Sequence, residues 1–188
     1  MIKDPASFIG FVIVIIVVVF KALRINASQQ VKQNLYKLKS YFKARSNFKL
    51  RAPKDRLYKI SYVLITLSGV FLIHAEEQSG IINGDENDKE WVAKRSLRKK
   101  NFENPITFVK KIPPLFSEIT DKVKKSIPIY PVVVFNNRTK ISDITSSDVP
   151  VIKAKDLLDY INSFEKDVLE KTDVNVLYDQ LKEYRFDF

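Results

Sequence analysis

Tyr58 to Gly80 reads YKISYVLITLSGVFLIHAEEQSG, and no other stretch constrains the fold as much. Two apolar runs flank a tight Ser-Gly turn, the pattern of a buried β-hairpin. The second run breaks off at a polar cluster, His74-Ala75-Glu76-Glu77. Polar side chains at the mouth of a buried hairpin are candidates for chemistry.

Composition closes off most of that chemistry. The chain has no Cys, so disulfides, thiolate zinc sites and Cys nucleophiles are excluded. His74 is the single His, which removes any metal centre needing two imidazoles. The four Gly, at 10, 69, 80 and 84, fit neither GxGxxG nor GxxxxGK[ST], so the usual nucleotide-phosphate loops are missing. What remains is 188 residues, 45% of them apolar, enough for one ordinary domain with an appendage.

The appendage is N-terminal. Phe8 to Phe20 is apolar throughout apart from Gly10, and Ala6 to Leu23 gives 18 residues containing one cation, Lys21. A helix crossing the hydrocarbon core needs about 17–25 residues, and a terminal Lys reaches the interface by snorkelling. A cleaved signal peptide is the rival reading, with a buried core helix behind it. Lys3 is offset by Asp4, whereas the residues after the run are strongly basic, so an uncleaved transmembrane anchor over 1–23 is expected. The positive-inside rule then puts residues 24–188 in the cytoplasm, as a single-pass membrane protein.

Residues 21–60 hold twelve Lys or Arg and one acid, Asp55, so the overall charge of +10 is local. The segment ASQQVKQNLYKLKSYFKA puts Val31, Leu35, Leu38 and Phe42 on one helical face. A basic amphipathic juxtamembrane helix is expected over 24–50, with Lys32, Lys39, Lys43 and Arg45 facing lipid or nucleic acid. Anionic lipid rewards each such cation by about 1 kcal/mol, and nucleic-acid phosphates attract the same charges. A solvated helix that merely obeys the positive-inside rule is the third reading.

The remainder, 51–188, alternates as one α/β domain. Strands are expected over Tyr58–Thr66, Val70–Ala75, Trp91–Ala93, Tyr130–Phe135 and Val149–Ile152. Helices are expected over Thr107–Lys125, Lys153–Phe164 and Val174–Tyr184. IINGDENDKE reads as a turn-rich connector, and IPIYPVVVFNN as a buried central strand.

The ordered set Val63–Thr66, Gly69–Ile73, Gly80 and Gly84, Asp88 with Trp91, Asn104-Pro105 and Val132–Phe135 resembles the NERD (nuclease-related) domain, over about residues 58–165. That family is similar in fold to PD-(D/E)xK nucleases. The resemblance implies a mixed sheet flanked by helices, restriction-endonuclease-like, behind the anchor. It also implies a centre in which two carboxylates hold a divalent metal and a Lys two residues beyond the second faces the phosphate. The family's first strand resembles [IV]-D-H-V-[VL]-I-T and its second G-I-F-V-I-E-[TV]-K. Here the Asp position is Ser61, the Glu position His74 and the Lys position Glu76. The Gly-Glu often seen on the first helix lines up with Ala27-Ser28, and the Gln often following Asn-Pro-x-x is replaced by Phe108.

The expected function is therefore a membrane-anchored, catalytically degenerate module that binds or scaffolds on the cytoplasmic side, without a cofactor. Its expected partners are anionic lipid and an unidentified protein. One alternative is a DNA or RNA binder that does not cleave, using residues 21–60 with Lys94, Arg95, Arg98, Lys99 and Lys100. Another is an active divergent nuclease with Mg²⁺, on replacement ligands the sequence does not identify. His74 and Glu76, with Glu77 or Asp88, are weak candidates for a softer metal such as zinc. Trp91 reads as a core anchor in preference to a base-stacking platform, and Lys94–Lys100 as a solvated face in preference to a DNA groove.

Overall fold

The computed structural model describes residues 13–15, 25–52, 56–120, 123, 126–146 and 148–183. From residue 25 onward the described residues form an α/β fold of two mixed sheets and five helices. Helix α1 (Ala27–Leu35) precedes strands β1 (Phe42–Ala52), β2 (Arg56–Thr66), β3 (Gly69–Glu76), β4 (Ile81–Asp85), β5 (Glu90–Arg95) and β6 (Arg98–Glu103). Helices α2 (Pro105–Lys110) and α3 (Ile112–Thr120) lead to β7 (Ile129–Phe135), β8 (Lys140–Thr145) and β9 (Val151–Lys153). A 3₁₀ turn, Ala154–Asp156, runs into α4 (Leu157–Asn162), and α5 (Lys171–Glu183) follows.

The larger sheet has the order β1-β2-β3-β7-β9, antiparallel through β3 and parallel beyond it. Burial on both faces explains why β3 and β7 are apolar nearly throughout. Val70 and Leu72 of β3 pack with α3 and α5, whereas Phe71 and Ile73 pack with α1 and α4. The turn at Leu67-Ser68 closes the β2–β3 hairpin. Gly69 after it has φ +138, and a Cβ there would stand 2.7 Å from the Pro128 carbonyl oxygen, so both backbone and space demand glycine.

β1 and β2 exchange layers halfway along. Phe42 and Ala44 side with the α1 core, whereas Phe48 and Leu50 side with the α3–α5 core. Opposite them, Ile60 belongs to the α3–α5 core and Tyr62 to the α1 core. Strict alternation would keep these even-numbered residues on one face. The switch falls between the pairs Ser46–Tyr62 and Phe48–Ile60, where Asn47 takes the left-handed φ of 52.

The second sheet, β6-β5-β4-β8, packs on the end of β7 through Ile82, Trp91, Phe102 and Phe135, with Ile106 and Val109 of α2. Its presence revises the expectation of a single sheet. IINGD, expected as connector, is β4, and β6 and β8 were not anticipated.

The helix expected over 24–50 ends at Leu35, and Phe42 to Ala52 form β1. Val31 and Leu35 do face inward as the periodicity implied, but Phe42 reaches the same core from a strand. Leu38 lies past the helix end, so the predicted stripe joins two elements. The helix expected over 107–125 is two, α2 and α3, meeting at Lys111. Among the described residues no helix is long and apolar enough to cross a membrane. The anchor expected over 1–23 lies outside the described residues, except 13–15, which are helical.

Candidate functional site

The polar cluster closes the β2–β3 hairpin where its ladder ends. The last β2–β3 pair is Tyr62–Ile73. One step further, the Ser61 hydroxyl takes over as acceptor for the Ala75 N–H, at 2.9 Å. Ser61 thus continues the ladder with its side chain.

His74 and Glu76 are two residues apart on β3 and share a face. His74 Nε2 lies 3.5 Å from Glu76 Oε2, and the two side chains are only 20% and 14% exposed. The other Glu76 oxygen accepts from the Gln78 N–H at 3.0 Å. Burial pushes the Glu76 carboxyl upward in pKa. The His74 hydrogen bond, the Gln78 and Glu77 N–H groups and the His74 charge outweigh it, leaving the group below its ordinary value. Phe108 of α2 covers the imidazole, with ring centroids 4.8 Å apart. His74 Nδ1 is buried and has no hydrogen-bond partner among the described residues. Gln78, Phe102, Glu103 and Pro105 complete a cleft of about 260 Å³ around the pair.

Glu77 turns the other way. Its carboxylate accepts from the Ala27 and Ser28 N–H groups, each at 3.0 Å, at the amino end of α1. Those N–H groups have no partner inside the helix, and the helix dipole favours an anion there. Asn26 completes the cap with Gln29 in a reciprocal box. Ser28 is further held by Tyr62, whose hydroxyl donates to the Ser28 carbonyl at 3.0 Å. Ala27-Ser28 therefore stands beside the cluster in space, joined to it through Glu77.

Asp88 is committed to its own turn, accepting from the Asp85 N–H at 2.8 Å. Trp91 Nε1 donates to the Asp85 carbonyl at 2.8 Å, and the indole is fully buried, so Trp91 is a core anchor. Asn104 caps α2 by accepting from Ile106 N–H, while its amide nitrogen donates to the carbonyls of Asp85, Glu86 and Asp88. The Asp88, Trp91 and Asn104-Pro105 motifs are thus one fastening between the β4–β5 turn and α2. Of the zinc candidates the fold unites only His74 and Glu76. Among the described residues no three His, Asp or Glu side chains are grouped to hold a metal ion.

The cations separate into two groups. Lys32 of α1 and Lys43 of β1 border one cleft with Tyr178, Lys39 lies in the connector between those elements, and Arg45 is on β1. Lys94 and Arg95 end β5, and Arg98, Lys99 and Lys100 begin β6, all exposed. Sequence reasoning missed the Phe108 contact and the Glu77 cap, because both are long-range. Phe108 carried one signal, an aromatic ring three residues after Pro105 where a polar residue was expected.

No curated protein and no solved structure matches the chain. A family model described as the nuclease-related domain, NERD, matches residues 24–136, a stretch running from the start of α1 through β7 and containing Ser61, His74 and Glu76. That stretch is more than half of the sequence, and the chain belongs to the nuclease-related domain family.

Proposed function

We propose that this nuclease-related-domain protein is membrane-anchored, catalytically degenerate, and a binding or scaffolding module on the cytoplasmic side. The observation that carries the reading is the pairing of His74 with Glu76 beside a Ser61 hydroxyl already bonded to the backbone. A divalent metal of the kind phosphodiester cleavage uses wants several oxygen ligands, usually with more than one carboxylate. These residues do not fit it. Ser61 offers a neutral hydroxyl, His74 a nitrogen, and the one carboxylate is tied to His74 and the Gln78 N–H. Glu76, at the position where a cation would face the phosphate, would repel it. The membrane-side placement is supported by the apolar run Phe8–Phe20 and the cations that follow it.

The test is cleavage. The purified chain, with Mg²⁺ or Mn²⁺, should leave labelled single- and double-stranded DNA intact. Metal-dependent cleavage that is lost on His74→Ala or Glu76→Ala would make the cluster a divergent active centre and overturn the reading. A non-cleaving nucleic-acid binder is the second reading, favoured by the exposed cations of β5 and β6. Duplex binding that weakens steeply with salt would support it.

A further inference from the structure

We propose that the β5–β6 hairpin docks on the headgroups of an anionic lipid bilayer, with Leu97 entering the interfacial layer. The inference deepens the membrane-side reading above and rests on it. Residues 94–100 read KRSLRKK, five cations with no acid. The register sets Lys94 opposite Lys99 and Arg95 opposite Arg98. Like charges facing across a ladder destabilise a free hairpin and are relieved by an anionic surface. Among the described residues no ion pair reaches these four side chains. The hairpin's acids sit at its other end, where Glu90 pairs with Glu103, so its charge is polarised toward the tip.

At that tip Leu97 is 99% exposed, next to Ser96 with a φ of 53. A single exposed Leu is unremarkable on a protein surface. Set inside a ring of cations at the end of a hairpin, it matches a bilayer interface, where phosphates meet the charges and acyl chains meet the Leu. A nucleic-acid duplex answers only the cations, unless base steps are parted to admit the side chain.

The placement of the hairpin agrees. A pocket of about 560 Å³ beside the tip end of β5 is bordered by Arg95, Arg138, Ile25 and Asn26. Asn136, from the turn that carries Arg138, donates to the Ile25 carbonyl at 2.6 Å. Ile25 and Arg95 thus border one pocket, and the apolar run Phe8–Phe20 precedes Ile25 in the chain. The Glu77 carboxylate in this pocket is already bonded to Ala27 and Ser28, which leaves the two guanidinium groups to receive a headgroup phosphate.

Because the chain has no Cys, Leu97→Cys creates a single labelling position. The full chain, carrying an environment-sensitive fluorophore there, would be mixed with phosphatidylcholine vesicles, with or without phosphatidylserine. The expected result is flotation with both vesicle types and a blue shift only where phosphatidylserine is present. High salt should reverse the shift, and so should Arg95→Glu combined with Arg98→Glu, while flotation persists. Flotation with water-like emission on the anionic vesicles overturns the inference alone. A shift produced by a DNA duplex and not by vesicles also overturns it. Failure to float with either composition overturns the membrane-side reading together with it.

Discussion

Glu76 is bonded to His74 across 3.5 Å on one face of β3, and the contact favours the ionised carboxylate over the neutral acid. The folded-state pKa of Glu76 therefore lies below its ordinary value of 4.5. A depressed carboxylate contributes stability that is fully present above the unfolded value and is lost as pH falls through the lower folded value. The melting temperature of the parent should thus fall more steeply than that of Glu76→Gln as the pH drops below the ordinary carboxylate range. The two curves should converge once Glu76 is protonated in the folded state. Parallel curves across this window would mean that the pairing contributes no net stability.

Glu77 fastens α1 to the end of β3 by accepting from two N–H groups. Glu77→Ala removes both acceptors and the anion at the helix start, and should cost about 1–2 kcal/mol. Urea unfolding followed through Trp91, the single Trp, gives the measurement. An unchanged midpoint would show that water replaces the carboxylate without loss.

Gly84 lies against the buried indole. A Cβ at that position would stand 2.2 Å from Trp91 Cδ1. Trp91 has little freedom to retreat, being held by the Asp85 carbonyl and stacked on Phe135 at a centroid distance of 6.5 Å. Gly84→Ala should destabilise by about 1–3 kcal/mol through overpacking and should alter the Trp91 emission of the folded state. A neutral substitution would mean that the second sheet yields easily at this point.

Rebuilding the centre tests whether the three positions correspond to those of the family. Ser61→Asp, His74→Glu and Glu76→Lys together would put two carboxylates and a cation on the hairpin mouth. Weak cleavage that needs Mg²⁺ or Mn²⁺, lost again when Lys at 76 is returned to Glu, is the expected outcome. A folded triple variant that binds neither metal nor DNA would count against the correspondence. Folding itself is open to the change, since Ser61 is partly exposed and an Asp oxygen is able to accept the Ala75 N–H in its place.

The elements legible in the sequence are those buried on both sides. β2, β3 and β7 stand out because continuous apolar runs have few other fates in a domain of this size. β1 was not legible. It forms an edge of its sheet, and Lys43, Arg45, Lys49 and Arg51 alternate along it with partly buried and buried residues. Such charge on an edge discourages pairing with other chains, but it also hides the strand's period. β4 was hidden by its own composition, since Asn83 and Gly84 usually mark turns. Here glycine serves the contact with Trp91, a requirement visible only once the strand is folded against β5. At the site, the polar cluster was legible where the apolar run breaks off at His74, whereas the divergence of Glu76 and Glu77 to different partners was not. Adjacent acids look equivalent in a sequence, and only strand geometry sends one to His74 and the other to α1.

The layer exchange at Asn47 bears on how faithfully the chain finds its native pairing. In an ordinary hairpin a slip of one residue exposes one apolar face, a single error that a polar environment can sometimes tolerate. In β1 the same slip would expel Phe48 and Leu50 from one core while expelling Phe42 and Ala44 from the other. It would also move the left-handed conformation off Asn47, onto Ser46 or Phe48, and a bulky aromatic residue resists that conformation. Misregistered hairpins are thus penalised three times over for one mistake. The layer exchange at Asn47 acts as a proofreading device for the longest strand pair among the described residues.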